Sequence, residues 1–189
     1  MAMPKPDLRP HIAPRTIESL LCEAADATSH EHLRRMYPWA DRFVFGLPLA
    51  PWQREFKWTL EQCQRFVGSA WSGGHLGSYL LTKFELVPGA GVVYKPMSNM
   101  VIDGQQRLTA LEMYFRDEFA VEDEAGKPTL WSEVDKVDSR RFRNTIFSRG
   151  EVDLSGEMEL RRLYDVLNFG GTPHEEHERA LPMDRPRRG

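Results

Sequence analysis

A chain of 189 residues, 41% hydrophobic and 28% charged, has the length and composition of one globular domain with a single good core. Its formal net charge of -3 and pI near 6.1 exclude a protein coated with basic residues, so any contact with nucleic acid must come from a local patch. No apolar run approaches the ~20 residues of a membrane-spanning helix, residues 1–7 lack the apolar core of a secretory signal, and Cys22 and Cys63 lack metal-ligand spacing; the expectation is a cytoplasmic protein with reduced thiols and no membrane contact.

Residues 1–15 are proline-rich and read as an irregular arm, followed by one domain over 16–181 and a loose basic tail over 182–189. Thr16 can cap a short helix running to about Ala25, with Ile17, Leu20 and Leu21 on one face. His30-Glu31-His32 reads as solvated surface. In residues 47–58, L-P-L-A-P-W-Q-R-E-F-K-W, two prolines keep the backbone extended. Trp52, Phe56 and Trp58 demand burial or a stacking partner, which leaves Gln53 and Arg54 as a polar pair in an aromatic loop. Thr59 and Gln62 form a capping box that opens a helix with Leu60, Cys63, Val67, Ala70 and Trp71 on one face, ended by Gly73-Gly74.

Residues 76–81 read as a buried strand, with Gly77 where another group approaches the backbone. Residues 83–86 and 92–94, joined through Pro88-Gly89, look like a hairpin. Then comes V-I-D-G-Q-Q-R-L-T-A-L, residues 101–111: a strand, a sharp turn and an amphipathic helix carrying Leu108, Leu111, Tyr114 and Phe115. Asp103 suits the cap of that helix, with Gln106 as its capping-box partner. The helix start offers free N–H groups to phosphate oxygens. Arg107 can add a forked donor, and Asp103 can hold a hydrated magnesium ion. The competing reading is that these groups bond one another and simply lock the turn.

Residues 121–128 read as an acidic loop. Residues 139–149 alternate enough to look like a strand, and their four arginines, Arg140, Arg141, Arg143 and Arg149, make the best basic patch in the chain. Residues 157–167 repeat Leu160, Leu163, Tyr164 and Leu167 at helical spacing, up to a stop at Asn168-Phe169-Gly170-Gly171. A further helix is expected from Thr172-Pro173 to Pro182. No glycine loop ending in Lys-Ser/Thr is present, so this is not a P-loop enzyme.

The ordered set of motifs resembles the D-G-Q-Q-R domain family, formerly of unknown function, within the ParB/sulfiredoxin-like superfamily. That domain forms the S half of GmrSD modification-dependent restriction systems and recurs in phage-defence proteins. The carriers are Pro51, Gln53, Arg54, Phe56 and Trp58; Leu76, Gly77 and Ser78; Asp103 to Arg107 with Leu108 and Thr109; and, more weakly, Leu167, Asn168, Gly170, Gly171 and Pro173. The resemblance implies an α/β fold, a small mixed sheet flanked by helices, with the signature helix and the Q-R loop lining one nucleotide pocket. It implies a nucleoside triphosphate and Mg2+ as cofactors, with Asp103, Gln105, Gln106 and Arg107 as catalytic candidates, Asp103 as the metal ligand, and Gln53, Arg54, Gly77, Ser78, Gly104 and Thr109 as nucleotide contacts. The nuclease domain of the family, with its His-Asn-His metal site, has no counterpart here, and His174 and His177 read as surface histidines.

The leading expectation is therefore a nucleotide-binding, triphosphate-hydrolysing module. A DNA-binding adaptor using Arg140, Arg141, Arg143 and Arg149, or a stand-alone regulator of a larger defence or nuclease subunit, are the alternatives. The adaptor would show a DNA affinity that falls steeply with salt and no hydrolysis.

Overall fold

The structure, a computed structural model, describes residues 10–25, 29–154 and 156–169. Its centre is a mixed sheet built from β1 (His11–Ala13), β2 (Arg42–Val44), β3 (Leu47–Leu49), β4 (Ser78–Thr82), β5 (Val101–Asp103) and β8 (Ser148–Val152). Their order across the sheet is β1-β8-β4-β5-β3-β2. The β8–β4 and β3–β5 neighbours run parallel and the other three pairs antiparallel. A separate two-stranded hairpin joins β6 (Val121–Glu122) to β7 (Pro128–Thr129) within the acidic loop.

Side-chain alternation divides the core into two layers. Tyr79, Leu81 and Val101 face one cluster, where they meet α1 (Ile17–Ala25), α3 (Leu60–Trp71), α4 (Gln105–Phe115) and α5 (Lys136–Arg143) through Leu20, Val67, Leu111 and Phe142. Leu80 and Ile102, one residue out of phase, join Leu160 and Leu163 of α6 (Glu157–Phe169) in the other cluster. A smaller cluster sets Leu33 of α2 (His30–Met36) and Tyr37 against Tyr94, with the two tyrosine rings stacked at 4.4 Å. The mixed α/β class is the one the family resemblance implies. No helix among the described residues is long and apolar enough to cross a membrane.

Several local readings hold: Thr59 and Gln62 make both bonds of the capping box, Ser19 N–H donates to the Thr16 hydroxyl, and Gly73 ends α3 in the left-handed region. Others give way. Residues 11–13 lie in a stretch read as irregular but pair antiparallel with β8, whose outer edge would otherwise be open. Leu60 is 55% exposed, because the first turn of α3 projects beyond the core. Residues 83–95 pair only around Leu86 and Tyr94, and the Ser98 hydroxyl takes the Glu85 N–H where a strand partner would stand.

The segment 139–149 is the largest departure. Asp135 accepts from the N–H groups of Val137 and Asp138 and nucleates α5, whose one buried side chain is Phe142. The alternation seen in the sequence is thus the polar surface of a short helix, and the strand begins only at Ser148. The helix expected over residues 172–181 and the tail over 182–189 lie outside the described residues.

Candidate functional site

Strand β5 ends at Asp103 and α4 begins at Gln105, with Gly104 making the turn between them. Gly104 has φ +96, and a β-carbon there would sit 2.7 Å from Cβ of Tyr79 and 3.0 Å from its Cα. Glycine is therefore required both for the backbone conformation and for the close approach of β4. The expected cap by Asp103 is absent. Gly104 is itself the N-cap residue and has no side chain to offer, so the N–H groups of Gln105, Gln106 and Arg107 meet no acceptor among the described residues.

Asp103 turns instead to Arg107, one helical turn on, with Oδ2 2.7 Å from Nη2. Both side chains are partly exposed, 39% for Asp103 and 24% for Arg107. Nη1 of Arg107 also donates to the Leu76 carbonyl at 3.3 Å. That contact explains Gly77: its φ is +74, and a β-carbon would lie 2.5 Å from the Arg107 Nη1. The group that approaches the β4 backbone is the signature arginine itself.

Gln106, the expected capping-box partner, is 8% exposed and points to the other motif. Its Oε1 accepts from the N–H groups of Lys57 (2.8 Å) and Trp58 (3.1 Å), and its Nε2 donates to the Glu55 carbonyl at 3.2 Å. Gln53, 4% exposed, reaches the opposite way. Its amide donates to the carbonyls of Val101 and Ile102 and accepts from Ala50 N–H. Arg42 of β2 completes the frame by donating to the carbonyls of Ala50, Gln53 and Arg54. Nothing in the sequence singles Arg42 out; its role depends on a loop twelve residues away folding back over it.

These ties open a cleft of about 210 Å³ bordered by Arg54, Asp103, Gly104, Gln105, Gln106 and Arg107. Trp58 and Ile102 add apolar surface, and α6 closes the far side with Tyr164 and Asn168. Tyr164 also positions the loop, since its hydroxyl accepts from Arg54 N–H at 3.4 Å, and Asn168 Nδ2 bonds the Tyr164 carbonyl. The sequence marks Tyr164 only as core; Asn168 carries a hint in the weak Leu-Asn-x-Gly-Gly-x-Pro match. Gln105, on the first turn of α4, makes no side-chain hydrogen bond among the described residues. The Asp103–Arg107 turn and the Gln53–Arg54 loop, about fifty residues apart, thus share one site, with Gln53 behind the wall and Arg54 in it.

Other candidates stand apart from the cleft. Ser78 opens β4 and Thr109 sits on the second turn of α4, and neither lines it. Gly77 acts through Arg107. Of the four arginines, Arg141 pairs with Asp138 (3.3 Å), Arg143 with Glu18 (3.1 Å), and Arg149 with Glu23 (3.2 Å) and Glu151 (3.5 Å). Arg140 is exposed and has no ion pair among the described residues. The basic patch is mostly neutralised by its own fold. No group of three or more potential metal-ligating side chains occurs among the described residues.

Comparison with known proteins gives one family: the model of the GmrSD restriction endonuclease, N-terminal domain, matches residues 44–180. No curated protein and no solved structure matches the chain. The matched span holds every residue of the cleft and covers well over half the sequence, and the chain therefore belongs to the family of GmrSD restriction endonuclease N-terminal domains.

Proposed function

We propose that this restriction-system domain binds a nucleoside triphosphate at the start of α4 and hydrolyses it. The observation that carries the reading is the uncapped helix N-terminus beside the Asp103–Arg107 pair, facing Arg54 across the cleft. Free N–H groups at the positive end of a helix dipole, with guanidinium groups beside them, form an anion site. The cleft is smaller than the ~300 Å³ at which small-molecule pockets usually begin. It suits the phosphate groups, with sugar and base lying toward its mouth. A larger cavity of about 980 Å³ lies between α3, the β6–β7 hairpin and α5, but its carboxylate walls would repel a triphosphate.

The donor set also fits a magnesium ion brought in by the nucleotide. Asp103 is the one carboxylate lining the cleft among the described residues, and magnesium with phosphate ligands commonly needs only one or two carboxylates and keeps several waters. Bound there, it would neutralise charge on the phosphate oxygens. The chain's own part is positional: the α4 N–H groups and Arg107 hold the phosphates, Asp103 orients the guanidinium, and the unengaged Gln105 amide can direct a water.

Calorimetric titration with each nucleoside triphosphate, with and without magnesium, and a phosphate-release assay test this directly. Saturable, magnesium-dependent binding with turnover is expected. No binding of any triphosphate up to millimolar concentration would remove the reading. A DNA-binding adaptor has less support, because three of the four arginines behind it already face carboxylates.

A further inference from the structure

The cavity of about 980 Å³ between α3, the β6–β7 hairpin and α5 is separate from the cleft and has a different chemistry. Its floor is apolar. Trp71 is partly buried there, its Nε1 bonded to the Tyr114 hydroxyl at 3.1 Å, and Val121 and Tyr114 lie beneath. Gly68 of α3 continues the floor; a β-carbon there would touch only Val121 Cγ1, at an ordinary 3.8 Å, so packing leaves space above it.

The walls are acidic on both sides. The hairpin supplies Glu122, Asp123 and Glu124, and the opposite wall supplies Glu133, Asp135 and Asp138. Among the described residues two cations line the groove, and both are already engaged: Arg65 with Glu61 at 2.8 Å and Arg141 with Asp138 at 3.3 Å. Three of the acids have local work, since Asp123, Glu133 and Asp135 each accept backbone N–H groups of their own turns. The side-chain carboxylates of Glu122 and Glu124 have no hydrogen bond or ion pair among the described residues. As solvated caps these carboxylates would mean little. Here they flank an aromatic floor, whose low dielectric focuses their field into the groove.

We propose that this groove docks an extended, arginine- or lysine-rich segment of a partner protein. Charge complementarity names the occupant. Such side chains lay their methylene stems, and arginine its guanidinium plane, on aromatic surface while the cationic head stays at the rim. An anion is excluded by the same walls, so nucleotide and nucleic acid are not candidates for this face. The proposal does not depend on the nucleotide reading.

The test is fluorescence anisotropy with the full chain and labelled octapeptides, one alternating arginine with leucine and one alternating glutamate with leucine. The basic peptide should bind saturably and weaken with added salt, and the acidic one should not bind. Replacing Glu122 and Glu124 together with glutamine should weaken binding roughly three- to tenfold, the range for two exposed charge contacts, with an unchanged melting temperature. Gly68→Leu fills the floor without touching a charge and should weaken it at least as much. Failure of the basic peptide to saturate, or equal binding by the parent and both variants, overturns the proposal. If binding appears only after residues 182–189 are removed, the occupant is this chain's own segment with Arg185, Arg187 and Arg188, and the assignment to a partner protein falls.

Discussion

Arg107→Ala separates a catalytic pair from a structural brace. The substitution removes the 2.7 Å ion pair with Asp103 and the 3.3 Å bond to the Leu76 carbonyl. Both carboxylate and guanidinium are partly in water, which screens the pair, so its loss together with one hydrogen bond should cost about 1–2 kcal/mol of stability. For a chain of this size that lowers the melting temperature by roughly 2–8 °C. Hydrolysis should fall much further, by ~10² or more, because a donor aimed at a transferring phosphoryl group is worth several kcal/mol in the transition state. Asp103→Asn gives the companion measurement. Gly104, not Asp103, is the N-cap residue, so asparagine at the strand end disturbs no cap while removing the charge available to a metal. Activity of that variant should become insensitive to magnesium. The assay is phosphate release per folded molecule, with the folded fraction taken from a melting curve. If residual activity of both variants tracks the folded fraction alone, Asp103 and Arg107 are a brace and the hydrolytic reading is wrong.

Gly77→Ala should mimic Arg107→Ala at a distance: the left-handed backbone costs about 1–2 kcal/mol for alanine, and the new methyl displaces a guanidinium nitrogen 2.5 Å away. Triphosphate affinity that is unchanged in this variant would show that Arg107 does not need its Leu76 contact. Gln53→Leu leaves the Val101 carbonyl and Ala50 N–H without their buried partner and should cost about 2–4 kcal/mol in urea denaturation, with a loss under 1 kcal/mol arguing against the brace. Glu112 supplies a pH dependence. Burial pushes its carboxyl above the usual 4.5, against the lowering effect of Phe45 N–H and Arg116. The folded chain therefore holds this proton more tightly than the unfolded one, and the stability it contributes falls as pH rises from the unfolded value through the folded one. Glu112→Gln should flatten the stability profile just above pH 4.5, and an unchanged slope there would exclude this residue as its source.

How much of the site was legible depended on whether a residue's partner was near in sequence. The Thr59–Gln62 box and the helix read over 157–167 are local patterns, and both hold, the helix running on to Phe169. The turn at Gly104 was legible for the same reason. The partners of Asp103 and Gln106 were not. Spacing alone allows the Asp103–Gln106 box and the Asp103–Arg107 pair equally, and only the docked Q-R loop, which offers two backbone N–H groups to Gln106, decides between them. Residues 139–149 failed differently. Their alternation is a surface pattern, and the deciding signal was the Asp135 cap four residues upstream together with the lone buried Phe142.

The two adjacent glutamines of the signature carry opposite duties, and this can be measured. Gln106 ties α4 to the loop at Glu55, Lys57 and Trp58, as Gln53 ties that loop to β5, so the pair clamps two motifs that chain connectivity leaves independent. Gln105 makes no such tie and sits at the first turn of the uncapped helix, on the cleft. Gln106→Ala strands two N–H donors and a carbonyl and should cost about 2–3 kcal/mol, with activity falling because Arg54 is no longer held opposite Arg107. Gln105→Ala should leave the melting temperature within about 1 °C, since a partly exposed glutamine on a helix is replaced by a better helix former. Its effect should appear in turnover and not in triphosphate affinity, the signature of a group that directs water without holding phosphate. A Gln105 variant that loses affinity and turnover together would make that amide a phosphate contact. One that loses neither would leave the phosphates to Arg54, Arg107 and the α4 N–H groups, with no part for Gln105.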